Sequence, residues 1–244
     1  FADIAEKNGE NDIAFDQLHQ SLQLALTISD TILLPIIYGA LGNHYMNLGL
    51  FWKAEESYKK AIEFNPYEPL VFNNLGMVYA AWGKYETALA TYQEALELGQ
   101  GAEDELYVLS NIGSYYEHLK QPAKALEYYN QAFSMATIQG REYEKQTLLI
   151  NLARTSAANG DTSSALRYFD EYETSIAQIR PDPISYVHAL TFAGDLNLDE
   201  LNFVTAKKRY LMALSIAEDS KYSPGAIEAL INLGKYYFVF SVYN

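Results

Sequence analysis

A chain of 244 residues with 31 acidic against 17 basic side chains carries a formal charge of −14. That balance excludes nucleic acid as the expected partner, because a phosphate backbone needs a basic track. Cysteine is absent, which excludes disulfides and thiol catalysis but leaves cytoplasm, the preferred compartment, and bacterial periplasm both open; no apolar run of about 18 residues occurs, so direct insertion into a membrane is not expected.

In chain order, Ala2, Ala5, Gly9, Ala14, Leu18 and Ser21 fit the second half of a helix-turn-helix unit over 1–34, with Gly9 in its turn and its start missing. The clearest full unit, 35–68, reads Tyr38, Leu41, Gly42, Tyr45, Gly49, Phe51, Ala54, Tyr58, Ala61 and Pro66. The next, 69–105, repeats it as Phe72, Leu75, Gly76, Tyr79, Gly83, Tyr85, Ala88, Tyr92 and Ala95. Over 106–145 come Leu109, Ile112, Gly113, Tyr116, Ala125, Tyr129 and Ala132, with Lys120 and Pro122 in the turn where glycine and an aromatic are expected. Residues 146–186 keep Leu149, Leu152, Ala153, Gly160, Ala165 and Phe169, and 187–226 keep Leu190, Gly194, Phe203, Ala206, Tyr210 and Ala213. Leu230, Leu233, Gly234 and Tyr237 begin a last unit over 227–244 that stops after its first helix, leaving Phe238, Val239 and Phe240 uncovered. Such an end suggests a segment of a longer protein, or a homodimer formed through it.

This pattern resembles the tetratricopeptide repeat, whose units carry a large residue, Leu-Gly and Tyr on one helix and Ala, an aromatic, Ala and Pro on the next. The resemblance covers essentially the whole chain. It implies an all-α fold, a single right-handed superhelical solenoid of antiparallel helix pairs over 1–244. The residues support it independently. Large residues recur on one helical stripe, small ones stand where a partner helix comes close, and all seven prolines fall at predicted helix boundaries.

If first helices line the inner face, residues opposite the buried stripe meet the ligand. Asn74, Asn111, Asn151 and Asn232 recur at one such position, about 150° from the stripe, and Asn43 stands near it in the preceding unit. An amide can donate to and accept from successive peptide groups of an extended chain whatever its side chains are. The row resembles the asparagine ladder in the tetratricopeptide superhelix of O-GlcNAc transferase; the alternative is that these amides bond to the adjacent helix or to water. Met46, Met77, Tyr107, Ser114, His118, Arg154, His188, Asp195 and Lys235 share the face, giving a mixed groove suited to a peptide with some apolar anchors. A carboxylate clamp of the chaperone-binding kind is disfavoured, since Gly39, Tyr107 and Asn111 stand at its basic positions although Asn43 and Asn74 match its amides.

The charged residues read as solvated surface: Lys207, Lys208 and Arg209 on an outer helix, and Glu55, Glu56, Glu94, Glu97, Asp170, Glu171 and Glu173 on second helices. Glu103, Asp104 and Glu105 offset a helix dipole. His19, His44, His118 and His188 have no metal-pair spacing, no phosphate-cradling loop occurs, and no cofactor or catalytic residue is expected. The sequence thus points to a non-catalytic scaffold binding a peptide or protein segment. The longer spacing of the later units also resembles repeats in bacterial regulators and sensor kinases, where the array is an input or dimerisation domain.

Overall fold

The computed structural model describes residues 2–99, 104–176 and 180–243; the side chains of residues 2–12 and 14 are outside the described set, as is Glu103. Among the described residues all regular structure is α-helix: α1 (Ala2–Thr27), α2 (Leu33–Asn47), α3 (Phe51–Phe64), α4 (Pro69–Ala81), α5 (Tyr85–Leu98), α6 (Glu105–His118), α7 (Pro122–Ile138), α8 (Glu142–Ala158), α9 (Thr162–Ser175), α10 (Pro183–Asp199), α11 (Phe203–Asp219) and α12 (Ser223–Tyr243). Helices α1–α6 belong to one compact unit, 1–121, and α7–α12 to a second, 122–244.

Proline and turn chemistry set the helix ends. Pro69, Pro122 and Pro183 each open a helix, Pro224 and Pro35 sit in a first turn, and Pro66 and Pro181 lie between helices. No helix interior contains one, because proline lacks the N–H and clashes with the preceding turn. The three-residue turn after each full first helix has one geometry. Its central residue is left-handed in all five cases, at Gly49, Gly83, Lys120, Gly160 and Leu201, with φ between 55° and 82°. The two closing bonds are also shared, as in Gly49 N to Met46 O (2.9 Å) and Leu50 N to Tyr45 O (2.9 Å), matched by Leu201 N to Leu198 O (3.0 Å) and Asn202 N to Asn197 O (2.8 Å). Lys120 therefore stands in the glycine conformation that its unit lacks the glycine for. Where the second helix starts polar, it is capped: Asp161 and Asn202 accept from Ser164 N (2.9 Å) and Thr205 N (3.3 Å).

Within a hairpin, glycine lets an aromatic ring reach the opposing backbone. A β-carbon on Gly42, Gly76 or Gly194 would come within 2.7, 2.5 and 2.5 Å of the rings of Tyr58, Tyr92 and Tyr210. Those tyrosines and their flanking alanines, Ala54 and Ala61, Ala88 and Ala95, Ala206 and Ala213, are buried. Burial of each ring adds to the apolar gain of its hairpin.

Three expectations are corrected here. Gly9 does not sit in a turn: α1 runs unbroken from Ala2 to Thr27. One glycine costs a helix only about 1 kcal/mol, which a long helix absorbs. Arg209 is not solvated. Its side chain is buried, donating to Asn197 Oδ1 (2.6 Å), Asp170 Oδ1 (2.6 Å) and Glu173 Oε2 (3.0 Å), with the guanidinium 4.6 Å from the centre of the Phe169 ring. Asp170, Glu173 and Glu55 are accordingly not plain surface charges. Glu55 accepts from Lys59 (2.7 Å) and from the Tyr79 hydroxyl (2.9 Å), tying α3 to α4. Helices α3, α9 and α11, which carry these residues, each pack on both their own partner and the next hairpin, so a charged residue on the second stripe is drawn inside where counter-charges meet it.

Candidate functional site: a groove between first helices

Helices α2 and α4 touch directly, and a groove of about 520 Å³ runs between them. On α2, Leu34, Ile37 and Leu41 are buried, which turns Ile32, Ile36, Gly39, Ala40 and Asn43 to the opposite side at helical spacing. Ile32 and Ile36 are 78% and 65% exposed, and Leu70 at the start of α4 is exposed facing the same space. Gly39 has nothing within 4 Å of where a β-carbon would stand, so the floor is open. Three large aliphatic side chains exposed around one groove exceed what a solvated helix carries singly.

The polar end of the groove is a line of amides. The Tyr58 hydroxyl donates to Asn43 Oδ1, which also accepts from Asn74 Nδ2 at 3.4 Å. Asn73 Nδ2 donates to Asn74 Oδ1 (3.4 Å), and Asn111 Nδ2 donates to Asn73 Oδ1 (2.8 Å). Asn43 on α2, Asn73 and Asn74 on α4, and Asn111 on α6 thus form one connected network in the first unit. Burial pushes the Tyr58 phenol well above its ordinary range, so it remains a neutral donor. The network uses both ends of the Asn73 and Asn74 amides but one end each of Asn43 and Asn111, leaving Asn43 Nδ2 and Asn111 Oδ1 without a hydrogen bond to the described residues. Asn43 is exposed, while Asn74 and Asn111 are half-buried.

The remaining expected site residues divide between the units. Met77 is half-buried on α4 with its sulfur 3.9 Å from Asn73 Nδ2. Tyr107 is half-buried and Ser114 exposed on α6. In the second unit, Asn151 is half-buried and Arg154 exposed on α8, and Lys235 on α12 donates to Asn232 Oδ1 (3.1 Å). Asn232 itself is a correction: it is only 4% exposed. The physical reason is that α12 packs on α10 as well, so Gly225, Ala229, Asn232 and Tyr236 are buried along one side. A wheel with a single buried stripe places this residue on the open side; a first helix with two neighbours has two buried sides. Asn73, the hub of the network, was missed for the same reason. The wall of Ile32, Ile36 and Leu70 was missed too, although Ile36–Ile37 and Leu33–Leu34 supply more apolar residues than one stripe uses.

His188 is not isolated. Its Nδ1 lies 3.1 Å from Glu228 Oε2 and its Nε2 lies 3.0 Å from the Tyr222 hydroxyl, bridging α10 to α12. Among the described residues, no group of three or more metal-binding side chains is assembled, and no helix is long and apolar enough to cross a membrane.

Sequence models described as tetratricopeptide repeat match residues 35–68, 67–138 and 104–174, together more than half of the chain. This chain belongs to the tetratricopeptide-repeat family. The photosystem I assembly protein Ycf3 of Rippkaea orientalis is 41% identical over 68 residues, a stretch covering 28% of this tetratricopeptide-repeat chain and 39% of that protein's length. Among solved structures, BtubC from P. vanneervenii superposes with a TM-score of 0.77 at 17% identity, over 88% of this chain and 92% of that one. YrrB, described as a tetratricopeptide-repeat protein with an unusual peptide-binding site, gives a TM-score of 0.57 at 20% identity over 87% and 95%. At these identities the two structures show the all-α repeat fold.

Proposed function

We propose that this tetratricopeptide-repeat protein is a non-catalytic interaction scaffold whose groove between α2 and α4 receives a segment of a protein partner. An apolar side chain of that segment packs on Ile32, Ile36 and Leu70, and its peptide groups meet the amides of Asn43 and Asn74. One observation carries the reading: exposed aliphatic side chains and a connected amide row flank the same open floor at Gly39 and Ala40. Apolar anchors supply affinity in such grooves, and backbone-directed hydrogen bonds fix direction. The names of an assembly protein and of a peptide-binding repeat protein among its relatives support an assembly role.

The test is selection of random twelve-residue peptides on the full chain, followed by titration against the wild type, Ile36→Glu, and Asn43→Ala with Asn74→Ala. Selected peptides are expected to share an apolar residue. Ile36→Glu should weaken them about tenfold or more by placing a charge in the apolar seat. The asparagine pair should cost less, because each bond is traded against water. Peptides that bind Ile36→Glu as tightly as the wild type would remove the groove from the proposal.

A further inference from the structure

The second unit repeats the seat in a different chemistry. Tyr143, Gln146, Thr147, Ile150 and Asn151 of α8 occupy the same five repeat positions as Ile32, just before α2, and Pro35, Ile36, Gly39 and Ala40 on it, counted back from Ala153 and Gly42. These five also line a cavity, of about 190 Å³, which Tyr172 of α9 and Pro181, Asp182 and Ser185 at the start of α10 complete. It is smaller than the about 300–1,000 Å³ of drug-sized sites and suits one long side chain. Where the first unit offers aliphatic walls, this cavity offers two phenol rings, two amides, two hydroxyls and a carboxylate.

The carboxylate is only half used. Asp182 Oδ2 caps α10, accepting from Ser185 N (2.9 Å) and Ser185 Oγ (3.1 Å). Its Oδ1 makes no hydrogen bond to the described residues. The cap itself answers the positive end of α10. Lys145, the cation on α8 nearest in sequence, is engaged with Glu171 of α9 at 3.7 Å, and Arg180 is exposed and does not line the cavity. Gln146 is buried with its Nε2 on Ser175 O (3.1 Å), which holds that wall in place. Burial, with Tyr186 and Asp182 adding to it, pushes the Tyr172 phenol up to about 12, so that wall stays a neutral ring and hydroxyl.

We propose that this cavity between α8 and α10 binds an arginine side chain of a protein partner, the guanidinium lying against Tyr143 or Tyr172 and donating to Asp182 Oδ1 and Asn151. Arginine fits better than lysine because its flat fork donates in several directions at once and stacks on aromatic faces. The net charge of −14 draws cationic segments to the protein. This seat stands independently of the apolar groove of the first unit.

The test is an NMR titration of the full chain with three probes: acetyl-Gly-Arg-Gly-amide, its citrulline counterpart, and acetyl-Gly-Leu-Gly-amide. The arginine probe should shift the amides of Tyr143, Thr147 and Asn151, and citrulline, nearly the same shape without the charge, should bind about tenfold more weakly. Asp182→Asn is the decisive variant, since asparagine caps a helix as well as aspartate and removes only the charge. It should lower arginine affinity about tenfold at unchanged helicity, and Tyr143→Ala should lower it as well. Ile36→Glu should leave the titration unchanged, which separates this site from the groove of the first unit. Equal affinity of citrulline or leucine read at the amides of Tyr143, Thr147 and Asn151, or an arginine affinity there untouched by Asp182→Asn, would overturn the assignment.

Discussion

The ring of Tyr58 lies on the backbone of Gly42, so close that a β-carbon at residue 42 would stand 2.7 Å from two ring carbons. The ring is fully buried and has no room to retreat. Gly194 repeats the relationship with the fully buried Tyr210, at 2.5 Å. Gly234 occupies the same repeat position on α12, yet nothing lies within 4 Å of it.

That contrast makes a paired prediction inside one unit. Gly194→Ala should destabilise by about 1–3 kcal/mol, because overpacking outweighs the gain in helix propensity. Gly234→Ala should stabilise by up to about 1 kcal/mol, since only the propensity gain is left. Urea unfolding followed by circular dichroism measures both. A destabilised Gly234→Ala, or a neutral Gly194→Ala, would show that ring contact is not what selects glycine here.

The same glycines explain what was legible in the sequence. Gly42, Gly76 and Gly194 and the tyrosines sixteen residues on are fixed by contact inside one hairpin, so type and spacing carry them. The proline positions are local in the same way. Contacts between hairpins leave a fainter trace. Asn73 meets Asn111 of α6, Asn232 lies on a helix that packs against α10, and Arg209 meets Asp170 and Glu173 of α9 as well as Asn197 of its own partner; a polar residue facing a neighbour has the same spacing as one facing water. Lys120 and Leu201 show another limit: the turn bonds hold a left-handed residue even where the sequence gives no glycine to mark it. In the candidate site, the asparagine row was visible as a recurrence. That Asn74 and Asn111 bond through Asn73 was not, because it depends on which amide of a consecutive pair turns inward.

Arg209 gives a second prediction, an ordering among charges that look alike in sequence. Arg209→Ala should cost about 1.5–3 kcal/mol, the range for hydrogen bonds to charged groups, with Asn197 Oδ1 left inside without its donor. Asp170 is 66% exposed on its side chain, so Asp170→Ala should cost under about 1 kcal/mol. Lys208 is exposed, and Lys208→Ala should fall within about 0.5 kcal/mol of the wild type. Arg209→Lys should not restore stability, because one ammonium cannot reach three acceptors and lie on Phe169 as a flat guanidinium does. Chemical denaturation of the four variants gives the order directly, and equal losses at Arg209 and Lys208 would refute a buried bridge.

The third prediction concerns pH and joins two tyrosines in different hairpins. Tyr58 donates to the amide oxygen of Asn43, and Tyr210 donates to the carboxylate of Asp195 at the same repeat position, at 2.7 Å. The acceptor geometry is shared but the charge is not. Burial raises the Asp195 carboxyl above its ordinary 3.8; the Tyr210 hydrogen bond and Lys235 pull it back, while Asp199 and Glu228 push it further up. A carboxyl raised on folding binds its proton more tightly in the folded state. Its contribution is therefore fully present below pH 3.8, and is lost as pH rises through the raised value. Ionised Asp195 is a liability at neutral pH. Asp195→Asn keeps an acceptor for Tyr210, reproduces the Asn43–Tyr58 pair and removes the charge, so it should raise the melting temperature at pH 7 and bring variant and wild type together as the pH falls towards 3.8. Melting curves at half-unit steps from pH 3.5 to 7.5 measure the difference between the two proteins at each pH. A variant less stable at pH 7 than the wild type, with the gap closing only at low pH, would mean that the carboxylate gains more from Tyr210 and Lys235 than it loses by burial.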